Sequence, residues 1–336
     1  MKTRIAIGVS LIVVVLAMAN LFAGQAQKAA NQPAQAQPPI LDAGARLNPL
    51  KIALLHWYLA DTSTFFTVGG QPYGLAFDGA NIWTANFADG TVSKVRANDG
   101  EILGTFQIGT GFEPYGITFD GADVWVSNTA AGSVTKLRAS DGKTLGTFAV
   151  GPAPGWMTFD GQSVWVPVSP SQGPGSITKL RALDGKTLGS FQVGNNPIAS
   201  AFDGTSVWVT NNGATTVTKL RASDGAVLGT FTVGNAPLGI AFDGVDMWVA
   251  NRADGTVTKL RACDGTVLGT FSIPGGAYGV AFDGTYIWIS GDIAIYVLRA
   301  SDGAAVGHAK ATTTGVAFDG AYVWMAQTND NRVVKF

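Results

Sequence analysis

Charge is scarce in this chain, and so are the side chains that most acid–base or metal chemistry requires. Lys, Arg, Asp and Glu make up 13% of the residues, about half the usual share of roughly 25%. There are two histidines, His56 and His308, and one cysteine, Cys263. A single cysteine excludes an intrachain disulfide, and two histidines leave no material for a histidine cluster. The formal net charge is −1, so no strong field draws nucleic acid or anionic lipid, and no nucleic acid partner is expected. The chain also lacks a serine nucleophile elbow, a paired-histidine zinc motif, a phosphate-cradling glycine loop and a Cys-x-x-Cys pair. Its Asp-containing loops, "NRADGTVTKL" and "TNDNR", do not match the spacing of a calcium-binding EF-hand. No catalytic or metal-ligating residue is therefore assigned. No cofactor is expected either, although a calcium or magnesium ion held by backbone oxygens is compatible with the sequence.

What the chain does have is glycine, 44 of them, and a marked internal order. At the N-terminus Lys2 and Arg4 precede an apolar run, Ile5 to Ala23. That pattern is a signal peptide, with Ala17-Met18-Ala19 as one cleavage site and Ala23 or Ala26 as others. The run of 19 residues is also long enough to stay as a single anchor. Either way the remainder is expected to be exported: periplasmic, cell-surface or secreted. Membrane contact is expected only through that anchor. Residues 1–26 carry two positive charges and no negative ones, so their removal takes the net charge from −1 to −3. Residues 27–47 are rich in Ala, Gln and Pro and read as a disordered linker. "NPLKIALLHWYLAD", residues 48–61, reads as a short packing helix, with Asn48 as N-cap and Pro49 as first helical residue.

From residue 64 onward one unit recurs. Phe-Asp-Gly appears seven times, at Asp78, Asp120, Asp160, Asp203, Asp243, Asp283 and Asp319, at spacings of 42, 40, 43, 40, 40 and 36. Each Asp is followed five residues later by a Trp: Trp83, Trp125, Trp165, Trp208, Trp248, Trp288 and Trp324. Within the fifth unit four β-type runs, Gly239–Phe242, Asp246–Ala250, Thr256–Arg261 and Val267–Phe271, are separated by Asp-Gly pairs. Asp-Gly suits tight hairpins, where positive φ is needed. A four-stranded antiparallel unit repeated every 40 residues or so predicts a β-propeller. The seventh unit runs only to its third strand. "TFFTVGG" at Thr64–Gly70 matches the fourth strand of other units, "GTFTVGN". The fold class is thus all-β: one seven-bladed propeller over residues 64–336, closed by the N-terminal strand completing the last blade and expected to be monomeric.

A residue repeated in every blade does not explain a single active site. Each repeated Asp is expected to accept backbone N–H groups in its turn, and each Trp to fill the wedge between blades. The repeated Lys-x-Arg on the third strands reads as an outer, solvated charge pattern with nearby Asp partners.

The stretch "VWVTNNGATTVTKLRASDGAVLGTFTVGNAPLGIAFDG", Val207 to Gly244, resembles the YVTN-type β-propeller repeat family. The likeness rests on the hydrophobic-x-Val-x-Asn strand, the Thr-Val strand, the Asp turn and the Val-Gly-x-x-Pro-x-Gly-Ile-Ala link. It extends over residues 64–336 and implies an exported, commonly bacterial protein with a binding role. A looser resemblance is to the streptogramin B lyases, seven-bladed and metal-assisted, whose chemistry rests on a Glu and two His at the channel mouth. This chain has no His in residues 57–307, so that site does not carry over.

Function is to be sought where the copies differ, in loops on a rigid scaffold. In propellers the links between blades and the loops from second to third strands share one face. Just before the inner-strand glycine the copies carry Tyr73, Tyr115, Gly155, Ile198, Leu238, Tyr278 and Thr314, with Trp156 next in the third. Blade two has Glu113 in a longer link, and blade three has the longest loop, "PVSPSQGPG". Arg252, Asp254, Asp292, Asp330 and Arg332 add charge to the same face. The predicted ligand site is Tyr73, Tyr115, Trp156 and Tyr278 as an aromatic rim, with Glu113 and Arg252 as polar handles. The reading favours a non-enzymatic protein that binds a small molecule, glycan or partner protein. The alternatives are a divalent-ion-assisted lyase or lactonase with carboxylates in the channel, and a purely structural surface component. A channel lined by converging carboxylates would favour the enzyme; a glycine-rich or apolar one would favour binding.

Overall fold

The computed structural model describes residues 63–336. The expected signal or anchor at 1–26, the linker at 27–47 and the helix at 48–61 lie outside the described residues. Among the described residues, twenty-eight strands form seven four-stranded antiparallel sheets in sequence order, the blades of a propeller. Blade one is typical: Pro72–Phe77 is innermost, followed outward by Asn81–Asn86, Thr91–Arg96 and Ile102–Gln107. In the fifth blade the strands are Pro237–Phe242, Asp246–Asn251, Thr256–Arg261 and Val267–Ser272, each within two residues of the expected bounds.

The ring closes as expected. The strand Thr64–Thr67 pairs antiparallel with Arg332–Lys335, placing Thr64 opposite Lys335 and Thr67 opposite Arg332. The last blade therefore takes its outermost strand from the other end of the described chain. Closure leaves no open end to the array, so no unpaired blade face is exposed.

The repeated Phe-Asp-Gly holds each blade by one arrangement. The Asp78 Oδ1 accepts the backbone N–H groups of Ala80 and Asn81 at 2.9 and 2.7 Å. Its Oδ2 accepts the Trp83 indole N–H at 2.7 Å. The indole-to-aspartate bond recurs in the other six blades at 2.7–2.8 Å. Six of these tryptophans are fully buried. In blades one to five and in blade seven, the ring packs on a Phe of the outermost strand of its own blade, as Trp83 does on Phe106 at 5.6 Å. That Phe in turn lies against the outer-turn glycine of the next blade. Gly225, at φ +76°, is one such residue: a Cβ there would run into the Phe191 ring.

The lysines depart from the sequence expectation. They are not solvated: Lys219 is 7% exposed. Each extends over its own blade's Trp ring, 4.8–5.3 Å from the centroid. Its ammonium then donates to a backbone carbonyl of the neighbouring blade. Lys94 reaches Ala139, Lys136 reaches Ala182, Lys179 reaches Ala222, Lys219 reaches Ala262, Lys259 reaches Ala300 and Lys335 reaches Ala97, all at 2.6–2.7 Å. Three of them also stand 3.8 Å from the repeated Asp of their own blade. Only the arginines behave as expected, in exposed pairs such as Arg221 with Asp224 at 2.9 Å. Blade six has Val297 where the others have Lys, and Ala309 where the others have the outer Phe. The Phe336 ring, from blade seven, packs on Trp288 at 6.2 Å instead.

These contacts have measurable consequences. Lys219→Met removes a buried cation and leaves Asp203 and the Ala262 carbonyl short of a partner, a loss of about 1–3 kcal/mol. Arg221→Ala, in an exposed pair, is expected to cost within about 0.5 kcal/mol. Thermal melts that rank the two alike would contradict the inter-blade role of the lysine.

Acid sensitivity follows from the aspartates. Burial pushes the Asp78 and Asp203 carboxyls up, but hydrogen bonds from the Trp indoles, backbone N–H groups and nearby side chains outweigh it, and both end below the ordinary 3.8. A depressed folded value means stability that is present above the ordinary aspartate range and lost as pH falls through the folded value. Asp78→Asn and Asp203→Asn are expected to lower Tm at neutral pH by similar amounts and to flatten the drop in Tm on acidification. Tm-against-pH curves parallel to the wild type would show that these carboxylates do not carry the acid limb.

Candidate functional site

The inner strands pack so closely that their backbones touch. A Cβ on Gly74 would stand 2.5 Å from the Tyr115 carbonyl oxygen, and one on Gly116 the same distance from that of Gly155. Glycine here reflects close approach between neighbouring blades rather than a turn. The result is a central cavity of about 150 Å³ to which all seven innermost segments contribute, lined by Gly74, Gly239, Gly279 and Gly315, by Leu75, Ile117, Ile240, Val280 and Val316, and by Trp156, Met157, Ala199 and Ser200. No carboxylate lines it. Among the described residues no group of three or more His, Cys, Asp or Glu is placed to hold a metal ion.

Trp156 breaks the symmetry of this lining. It occupies the place that glycine holds in five blades and Ala199 holds in blade four. Its backbone N–H donates to the Ile198 carbonyl at 2.7 Å, its own carbonyl accepts from Ser200 N–H at 3.0 Å, and it forms a parallel bridge with Ala199. Blade three thus leans onto blade four at its inner edge, and its innermost strand is cut to Thr158–Phe159. The Trp156 indole N–H is buried and has no hydrogen-bond partner among the described residues, a deficit that a bound molecule or ordered water normally relieves.

Three of the four expected rim residues stack in one row. Tyr73 and Tyr115 lie 5.1 Å apart by ring centroid, and Tyr115 stacks on Trp156 at 5.5 Å with 11° between the planes. These offset geometries favour aromatic pairs beyond their area alone. Phe87, in the loop after the second strand of blade one, joins the row at 5.4 Å from Tyr73 and 6.4 Å from Tyr115. Across the mouth the Arg252 guanidinium covers the Tyr278 ring at 4.4 Å and stands 3.8 Å from Asp292. Burial raises the Tyr115 hydroxyl above its ordinary value; Tyr73 and Tyr278 add to this, and Arg252 opposes it. Tyr278 is also raised, first by burial, with Arg252 opposing and Asp292 reinforcing.

Glu113 takes a different part. At φ +52° it adopts the left-handed conformation at the end of its link, and its carbonyl accepts the Thr129 N–H at 3.0 Å. Its carboxylate joins no hydrogen bond or ion pair with the aromatic row. Phe87 was not among the expected residues, and Asp292 was expected only as a charge on this face. Both sit in loops between second and third strands, and Phe87 occupies the position that Arg252 holds in blade five.

No protein-family model and no curated protein matches the sequence. Among solved structures, the chain is similar to a catalytically inactive virginiamycin B lyase from Staphylococcus aureus crystallised with quinupristin, at 18% identity and TM-score 0.68, over 82% of this chain and 98% of that one. It is similar to a streptogramin B lyase at 19% identity and TM-score 0.67, over 81% and 96%. It is also similar to the hydrazine synthase of Kuenenia stuttgartiensis at 17% identity and TM-score 0.70, over 81% and 96%. At these identities the likeness is one of fold: a seven-bladed propeller shared by proteins of unlike chemistry.

Raised tyrosine values mean that the folded state holds those protons more tightly, so the stability they represent is present below about pH 10 and falls as pH rises further. Tyr115→Phe should therefore make the alkaline fall in Tm shallower. In a spectroscopic tyrosine titration it should also remove one late-ionising group. A titration in which Tyr115 ionises with the exposed tyrosines would contradict its burial at the mouth.

Proposed function

We propose that this protein is an exported, non-enzymatic propeller that binds a ligand at the mouth of its channel. The observation that carries the reading is the stacked row of Tyr73, Tyr115 and Trp156, centroids 5.1 and 5.5 Å apart. Blades four and five have only Ile198 and Leu238 in the corresponding places. An aromatic wall with a few polar groups opposite, here Arg252 and Asp292, suits a molecule with a flat apolar part and a polar edge, such as a glycan, peptide or small amphiphile. The glycine-rich, aliphatic cavity beneath supports binding over hydrolysis or elimination, because no acid–base pair faces it. The likeness of the repeat to YVTN-type propellers and the signal-like N-terminus support action outside the cytoplasm, as a monomer.

A thermal-shift panel of small amphiphiles, with and without calcium or magnesium, tests this, since binding to the native state raises Tm by mass action. At least one compound is expected to raise Tm. The combined Tyr115→Ala, Trp156→Ala and Tyr278→Ala variant should abolish that rise, and the milder Arg252→Gln should weaken it. A rise that survives in both variants would place binding elsewhere, and a panel without any rise would remove the support for a binding role at the mouth.

A further inference from the structure

A second recess lies on the same face, between the raised hairpin of blade three and the link from blade three to blade four. The third and fourth strands of blade three, Pro174–Arg181 and Thr187–Asn195, have 8 and 9 residues where the counterparts in most blades have six. They stay paired to their ends on this face, with Pro174 opposite Asn195. The second strand, Ser163–Val168, also runs further than expected, so the loop above the blade is only residues 169–173. The expected loop, 167–175, keeps five of its nine residues and gives its ends to the flanking strands. It forms one wall of a cleft of about 490 Å³, lined by Ser169, Pro170, Ser171, Gln172, Asn195 and Asn196 with Ala153 and Gly173. That volume lies within the usual range of small-molecule sites.

The chemistry of this cleft is uniform. No titratable side chain lines it. Ser169 and Asn196 are partly committed: Ser169 Oγ donates to the Pro197 carbonyl at 2.6 Å, and Asn196 Nδ2 donates to Asn212 Oδ1 at 3.2 Å. The side chains of Ser171, Gln172 and Asn195 make no hydrogen bond within the described protein. The loops between second and third strands carry charge on blades one, five, six and seven, at Asp89, Arg252, Asp254, Asp292 and Asp330 with Arg332 beside the last, whereas those of blades two, three and four hold none, and the link into blade two adds Glu113. Amide groups donate and accept at once, which matches a hydroxyl group and leaves no charge to neutralise. The link that forms the floor continues through Asn196 and Pro197 to Ile198, whose carbonyl receives the Trp156 N–H. The cleft therefore adjoins the aromatic row.

We propose that this cleft is the binding site for a neutral glycan of β-linked, equatorially substituted pyranose rings, its hydroxyl groups held by Gln172, Asn195 and Ser171. The proposal rests on the reading of this face as the ligand face and names the ligand class. Such rings present hydroxyls around their edge and a flat C–H surface suited to a neighbouring aromatic.

The test is calorimetric titration of the full chain with cellohexaose, chitohexaose and, as a control of similar length, an uncharged Gly-Ser peptide. At least one hexasaccharide is expected to bind, with an affinity unchanged by added salt, because no ion pair is formed. Gln172→Ala and Asn195→Ala, both at exposed positions, should each weaken it about tenfold, the loss of one or two hydrogen bonds. The proposal is overturned if neither hexasaccharide binds at millimolar concentration, if both variants bind as the wild type does, or if the peptide binds in a Gln172- and Asn195-dependent way and the sugars do not. An amphiphile whose binding needs Tyr115 and Trp156, with no response to either sugar, would leave the mouth reading standing and reject the cleft. Sugar binding that needs Gln172 and Asn195 but not Tyr278 or Arg252 would do the reverse.

Discussion

The structure depends on one contact repeated around a ring: a buried carboxylate that takes an indole N–H, with a lysine laid across the same indole and bonded to the next blade. Each part makes the others affordable. The tryptophan fills the wedge between blades, but its N–H would be stranded there without the aspartate. The aspartate is sheltered, but its charge is balanced by turn N–H groups and, in three blades, by the lysine at 3.8 Å. The lysine is buried, but its ammonium is spent on a carbonyl and on the face of the ring. A chain with only 13% charged residues thus places six of its lysines where they tie blade to blade.

Blade six shows which parts of this contact can be exchanged. Val297 stands in for the lysine, and Ala309 for the outer phenylalanine, yet Trp288 keeps its bond to Asp283 at 2.7 Å. The ring that packs on Trp288 comes from Phe336 instead of from the same blade. The volume between the blades is preserved by a side chain from a different strand, as dense packing requires. The turn aspartate and the tryptophan are the invariant pair of the seven copies; the lysine and the phenylalanine are their supports.

The architecture was legible in the sequence because the repeat carries its own register. Seven Asp–Trp pairs set the blade count, Asp-Gly pairs marked the hairpins, and the match of Phe66-Thr67-Val68-Gly69 to Phe231-Thr232-Val233-Gly234 marked the closing strand. What escaped was everything that depends on one blade meeting the next. The lysines looked solvated because their carbonyl acceptors lie 41–46 residues away in five blades and 238 away in the last. Tyr73, Tyr115 and Trp156, which depart from the repeat at or next to one aligned position, do stack in a row, while Tyr278 pairs with Arg252. Phe87 was not foreseen: it stands where Arg252 stands in blade five, but its packing on Tyr73 depends on the fold bringing that loop against the link. Nor did the sequence show that Trp156 would shift a strand toward blade four: a tryptophan in a place of close backbone contact has to move the chain, and the direction is set by the neighbours.

A frame built on the same Asp–Trp pair in each blade is separate from a face where blades one to four differ in aromatic and amide content. Indole resonances test that separation directly. The chain has nine tryptophans, seven of them in the repeat. In a ¹⁵N-labelled sample, those seven indole N–H groups should exchange slowly with solvent and hold still when cellohexaose or a mouth-binding amphiphile is added, while the Trp156 signal shifts. Movement among the seven repeat signals with Trp156 unchanged would contradict the account, since ligand would then be meeting the frame and not the break in it.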